Sequence, residues 1–212
     1  MSTVPVVDEM QEASETTAPR LIQILSFWAH VGFIAAYLGI LSTAMFWFQF
    51  ALAEYPCPLC ILQRMAMMLV VIGPILVVSQ TLRGRGNLGI LATGTGISIL
   101  GAVLGLTMSG RQVLLHIAPG DEGYGTAVLG MHLYTWALVS FLVVLVFCGV
   151  VLAGSRWLVP VAPRSRTLRF VAWAVIWLFV ATIGINAVVV FAEAGWNLYL
   201  PDNPTGYRLF GD

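Results

Sequence analysis

Two cysteines in the stretch Cys57-Pro58-Leu59-Cys60, with Arg64 one helical turn beyond the second, are the residues of this chain best suited to chemistry. A Cys-x-x-Cys pair can close a small disulfide. Only one other cysteine, Cys148, is present, so the pair is a local device and not part of a disulfide framework. Pro58 suits the first position of a helix, where its missing N–H would be unpaired in any case. That puts Cys57 at the cap and Cys60 in the first turn, on one face and roughly 5–6 Å apart, a separation compatible with a disulfide. The positive end of a helix favours a thiolate and lowers cysteine pKa values there. Arg64 projects from the same face and can add a full positive charge. A stabilised thiolate leaves readily from a disulfide and can donate charge to an electron acceptor. At the mouth of a membrane span the acceptor that fits best is a lipid-soluble quinone, and Arg64 could hold its oxygen as negative charge develops. Gln63 and Gln49 are further polar partners. The alternatives are a zinc half-site and a purely structural disulfide; zinc takes about four ligands, and no second Cys/His cluster lies on that side of the chain.

The elements that must position this pair are membrane helices. Of 212 residues 59% are hydrophobic and 9% charged, against about 25% charged in an average soluble domain, and the mean hydropathy is +0.90. The net charge of zero argues against nucleic acid as a partner. Five apolar segments reach the roughly 20 residues a helical span requires, near Phe27–Phe48, Leu59–Val78, Leu88–Met108, Ala127–Val151 and Phe170–Phe191. The expected class is an all-α integral membrane protein, a four-helix bundle with a fifth transmembrane helix. Residues 1–20 are expected to form a disordered cytoplasmic tail, 21–153 the four-helix redox core, 154–169 a cytoplasmic loop, 170–191 the fifth span and 192–212 a periplasmic tail. The leader Met1–Pro19 has neither the basic start nor the small-residue cleavage site of a removable signal peptide, so the first helix reads as a retained signal anchor.

Arginine placement sets the orientation. Arg20, Arg83, Arg85, Arg156, Arg164, Arg166 and Arg169 fall on one side of a five-span chain. Arg111 and Arg208 fall on the other, with Glu54, Asp121, Glu122, Glu193, Asp202 and Asp212. The N-terminus is therefore expected in the cytoplasm, and Cys57, Cys60 and the C-terminus on the outer face, the periplasm of a bacterial inner membrane, where disulfides persist. Gly101 and Gly105 form a GxxxG step for close packing inside the bundle, Pro74 should kink the second helix, and Asn186 should hydrogen-bond a neighbour. The aromatics Phe46, Trp47, Phe48 and Phe50, Tyr134 and Trp136, and Trp196 and Tyr199 fit interfacial belts. Cys148 lies about 18 residues below the outer end of its helix, ~27 Å at 1.5 Å per residue, and is read as packing.

Pro56-Cys57-Pro58-Leu59-Cys60 followed by Gln63-Arg64 resembles the head of the second helix in the bacterial disulfide bond formation protein B (DsbB) family of quinone-linked membrane oxidases. The resemblance continues in Gly110-Arg111-Gln112-Val113-Leu114-Leu115 and in Leu129-Gly130-Met131-His132-Leu133-Tyr134-Thr135-Trp136, and runs from about Leu21 to about Leu152. It implies a four-helix core, a bound ubiquinone or menaquinone, and oxidation of a periplasmic thioredoxin-like (DsbA-type) partner. Carried over by position, Cys57 and Cys60 become the disulfide pair coupled to quinone. Cys60 is then the cysteine that reacts with quinone, Cys57 the one that exchanges with thiols, and Arg64 the quinone-side arginine. Arg111 falls where some members have a quinone-contacting histidine, and His132 and Tyr134 become edges of the pocket.

Two departures from the family pattern stand out. Those oxidases carry a second cysteine pair between helices three and four, whereas Gln112–Thr126 contains none, and this chain adds a fifth helix and an outer tail. Cys57 could exchange directly with a partner dithiol, which requires only a thiolate, an accessible sulfur and a suitable leaving group, or a second protein could supply the missing pair. The sequence thus supports a quinone-dependent thiol oxidoreductase, with a non-catalytic membrane binding or assembly protein as the alternative. A small transporter has little support, since Arg64 and Asn186 are the only clearly polar candidates near the spans.

Overall fold

The computed structural model describes residues 20–121, 123–197, 200 and 204–211. The leader 1–19, Glu122, Tyr199, Asp202 and Asp212 lie outside the described residues. Five helices are long and apolar enough to cross a membrane. Helix α1 spans Arg20–Ser42 and continues as a π-helical segment, Thr43–Ala51. Helices α2 (Pro58–Leu82), α3 (Leu88–Leu115), α4 (Leu133–Ala153) and α5 (Arg166–Ala194) follow. No strand forms among the described residues; the nearest approach is the isolated pairing of Val128 with Met131.

The spans differ from the sequence expectations mainly at their ends. Asn87 caps α3 by accepting from the Ile90 N–H at 2.9 Å, and α3 runs on to Leu115 because Gln112 and its neighbours continue the turn. Helix α4 begins later than expected. Leu129 and Gly130 both have positive φ and reverse the chain at Val128–Met131, the backbone combination of a type I′ turn.

Pro74 sits inside α2, where its missing N–H leaves the carbonyl of Val70 without its helical donor. Ser98 of α3 supplies one, its hydroxyl donating to Val70 O at 2.8 Å. The same α2–α3 contact, the most extensive in the bundle, is closed by small residues. A side chain at Gly73 would meet the backbone of Gly94, and one at Gly101 would meet Val70. Gly105 instead faces Phe141 of α4, so the GxxxG step serves two neighbours within one bundle. Phe27, Ile34, Val70, Val71, Ala102, Phe141 and Phe179 form the centre of the core. Cys148 joins this core as a buried free thiol. Asn186 is buried in α5.

Outward apolar side chains mark the lipid-facing surface: Val143, Val146 and Val150 along α4, and Phe170, Trp177 and Val188 along α5, are all exposed. The two ends of the bundle are chemically distinct. At one, Arg169 donates to Leu82 O at 2.6 Å, Ser26 to Leu158 O at 2.6 Å, and the Arg83 guanidinium lies 5.7 Å from the Trp173 ring centre. This end collects the arginines at the helix termini. The other end holds the cysteine pair.

Candidate redox site

The cysteine pair is built by the start of α2. Cys57 is the cap residue, with extended backbone (φ −66°, ψ 163°), Pro58 follows at the first helical position, and the Cys57 sulfur accepts the Cys60 N–H at 3.2 Å. The two cysteines form a disulfide, with Cα atoms 5.0 Å apart. Cys57 is buried, at 7% exposure, whereas Cys60 opens onto a groove.

Two polar clusters flank the disulfide. On one side the Gln112 amide of α3 points its Nε2 at both sulfurs, 3.4 Å from Cys57 Sγ and 3.7 Å from Cys60 Sγ. Gln63 holds it there, donating to Gln112 Oε1 at 2.7 Å. An N–H aimed at both sulfurs stabilises whichever one carries negative charge after reduction. On the other side Arg64, buried at 9% exposure, donates from Nη1 to Gln49 Oε1 at 2.7 Å and from Nη2 to Ala44 O at 3.1 Å. Gln49 in turn donates to Glu193 Oε2 and to the Tyr207 hydroxyl, each at 3.4 Å. The π-helical extension of α1 carries both Ala44 and Gln49 to the guanidinium; such wide turns are uncommon and often lie at functional sites.

Arg64, Cys60 and Gln63 line the polar end of a groove of about 990 Å³ between α1, α2 and α4, whose walls are otherwise largely apolar: Ala36, Gly39, Ile40, Met67, Ala137 and Val139. Its volume lies at the upper end of the range for small-molecule sites. Tyr134 lines the groove as well, and Phe48 faces it rather than lipid. Phe46, Trp47, Phe50 and Trp196 are exposed as interfacial aromatics would be, while the Trp136 indole donates to Val128 O at 3.0 Å.

A lid of connecting chain covers the outer end. Tyr124 donates to Tyr55 O at 2.7 Å, and Thr126 donates to the Glu54 carboxylate from both its backbone N–H and its hydroxyl. Ala53, at φ 54°, turns the chain sharply just before the cysteines. Asp121 accepts the Gly123 N–H at 2.8 Å and pairs with His116 Nδ1 at 3.0 Å, and these contacts, the Gly123 bond foremost, hold its carboxyl below the ordinary range. Burial pushes the phenols of Tyr124 and Tyr207 up, so both remain neutral hydroxyls at pH 7.

Of the residues singled out from sequence, Cys57, Cys60, Arg64, Gln49 and Gln63 are brought together. Arg111 is exposed and does not line the groove; its neighbour Gln112 turns inward instead. His132 packs in the connection, its Nδ1 3.0 Å from Gly125 O and its ring stacked on Tyr134 with centroids 5.3 Å apart. Two participants, Gln112 and Glu193, carry no role that sequence pattern alone assigns. Gln112 falls within Gly110–Leu115, three residues from Ser109 on a buried face. Glu193 stands near the end of an apolar span, an acid without a cation on its own turn.

Residues 26–124 match the family model described as disulfide bond formation protein DsbB. A relative named disulfide bond formation protein B from Chromobacterium violaceum is 36% identical over 110 residues, covering 50% of this chain and 63% of its own length. A second, disulfide bond formation protein B 1 from Pseudomonas savastanoi pv. phaseolicola, is 28% identical over 153 residues, covering 56% of this chain and 88% of its own. No solved structure matches the chain. The matched segment, just under half of the chain, carries the cysteine pair, Arg64, Gln63, Gln112 and the groove walls of α1 and α2, and over that segment the chain is similar to the DsbB family.

Proposed function

We propose that this chain is an inner-membrane thiol–disulfide oxidoreductase that passes electrons from a periplasmic dithiol through Cys57–Cys60 to a membrane quinone, supporting disulfide bond formation. The observation that carries the reading is the convergence of Cys60 and buried Arg64 on one apolar groove at the head of α2. The same reading places the N-terminus in the cytoplasm and the C-terminus in the periplasm, from the arginines gathered at the opposite end.

The groove fits a ubiquinone or menaquinone: apolar walls suit an isoprenoid tail, and Arg64 with Gln63 suits a ring oxygen. A quinone bound there would supply a two-electron acceptor that reoxidises the pair. The chain's own residues account for the thiol half. A thiolate of a thioredoxin-like, DsbA-type partner attacks Cys57 Sγ, the Cys57–Cys60 bond breaks, and Cys60 departs as a thiolate. Gln112, the helix terminus and Arg64 stabilise that thiolate. The partner's second thiolate then resolves the mixed disulfide, leaving the partner oxidised and Cys57 and Cys60 reduced. Because Cys57 is buried and the residues just before it are tied to the second outer connection, this exchange requires the Tyr124–Tyr55 and Thr126–Glu54 contacts to open.

Purified protein supplied with quinone and a reduced thioredoxin-like dithiol should consume quinone, and Cys57→Ser or Cys60→Ser should abolish this. Retention of full quinone reduction by both variants would sink the proposal. The missing second cysteine pair favours one rival, a non-catalytic assembly protein, for which cells carrying the double cysteine variant would behave as wild type.

A further inference from the structure

We propose that Glu193, at the end of the fifth helix, is the counter-charge and positioning residue of Arg64, acting through Gln49, so that α5 is part of the redox site. A guanidinium buried to 9% exposure among neutral acceptors alone is costly, and a charge removed from water needs a partner. Both acceptors given to Arg64, Gln49 Oε1 and Ala44 O, are neutral. Behind Gln49 stands Glu193, 1% exposed, whose Oε2 accepts from the far side of the same amide. The Gln49 amide therefore has one orientation: its oxygen toward the cation and its nitrogen toward the anion, with the Tyr207 hydroxyl taking the other N–H. Such an aligned chain strengthens each of its bonds. Among the described residues Glu193 Oε1 has no hydrogen-bond partner. A buried carboxylate in that state is hard to account for by helix packing alone.

The other titratable groups around this hydrogen-bonded chain are Cys60, Tyr134 of α4, Tyr207 from the C-terminal segment, and Glu54, Tyr55 and Tyr124 from the covering connections, and Arg208 packs against Gly195 just beyond Glu193. Glu54 is engaged by Thr126. Glu193 thus partly offsets the field that Arg64 casts toward Cys60, and it keeps the guanidinium from swinging freely in the groove. The functional consequence rests on the redox reading above; the coupling of Glu193 to Arg64 does not.

Two measurements on the full chain in detergent, neither using quinone or a protein dithiol, test the coupling. In dithiothreitol-reduced protein, the pH profile of cysteine alkylation by iodoacetamide should shift to lower pH in Glu193→Gln, by about half a unit or roughly threefold more thiolate at a given pH, and to higher pH in Arg64→Met. In thermal melts each single variant should unfold at lower temperature than wild type, and Arg64→Met/Glu193→Gln should unfold above either single variant, because no unpaired charge is left buried. An unchanged or upward-shifted profile in Glu193→Gln overturns the proposal, as does a double variant less stable than both singles. Where Glu193→Gln alone does not accumulate as folded protein, recovery by the double variant supports the pairing and continued failure refutes it. A wild-type chain that fails to reduce quinone would remove the proposed function while leaving this result standing.

Discussion

The two polar clusters beside the disulfide differ in charge, in reach and in which part of the chain builds them. Gln63 and Gln112 form a neutral pair between α2 and α3, wholly inside the segment that matches the family, and through Gln112 the pair addresses the sulfurs themselves. Arg64, Gln49, Glu193 and Tyr207 form a charged chain that draws on α1, α2, α5 and the C-terminal segment, half of it outside that segment. The neutral cluster can stabilise a thiolate without having to bury a countercharge. The charged cluster can hold an oxygen that gains negative charge, but only if the buried cation is compensated. A fifth helix that contributes an acid is one solution to that second requirement. The neutral cluster is thus suited to charge on sulfur and the charged one to charge on an oxygen held in the groove.

Breaking the charged cluster should have the largest effect. Arg64→Met should lower quinone reduction by about 10²–10³-fold, the usual cost of removing a donor that stabilises developing negative charge, while dithiol exchange at Cys57 falls much less. Single-turnover kinetics of each half-reaction separate the two; equal losses in both would erase the distinction between the clusters. Breaking the neutral cluster comes next. Gln112→Leu removes the N–H facing both sulfurs, and the loss of a hydrogen bond to a charged group, about 1.5–3 kcal/mol, should make the Cys57–Cys60 pair at least tenfold harder to reduce in a glutathione redox titration. A titration curve that superimposes on wild type would mean that the amide only packs there.

Ser98→Ala touches neither cluster and tests the frame that carries both. It strips the Val70 carbonyl of the donor that replaces the Pro74 N–H, so it should cost about 1 kcal/mol of stability with little change in turnover, as read by thermal unfolding and quinone consumption on the same sample. The smallest effect concerns the cover. Asp121 has a depressed folded-state pKa, so its contribution to holding the connection is present above the ordinary carboxylate pKa and is lost as pH falls through the depressed value. Limited proteolysis within 116–126 should therefore accelerate only in strong acid, and Asp121→Asn should show the faster cleavage already at pH 7.

Much of the site could be read without coordinates because its core is local. Cys57, Pro58, Cys60 and Arg64 lie within two turns of one helix start, where periodicity alone fixes which side chains share a face, and their cap geometry is the one the spacing predicts. The five spans were equally legible, since the length and hydropathy of a membrane helix are properties of consecutive residues. Arg111 shows where such reasoning ends: one position decides between exposure and the groove, and it is Gln112 that turns inward.

By itself, the sequence determined an all-helical chain of five apolar spans and a disulfide-forming pair at a helix start beside an arginine, all consequences of short-range spacing. Tertiary structure alone decided that Gln112 reaches across 52 and 55 residues to the two sulfurs and that Glu193 arrives 144 residues from Gln49 to stand behind Arg64. These contacts depend on how helices rotate about their axes and where they cross. For α2, α3 and α4 that is set by packing such as Gly73 on Gly94, Gly101 on Val70 and Gly105 on Phe141, and for α5 by the core that Ala172, Ile176 and Phe179 share with Phe27 and Ile34; no local pattern encodes it.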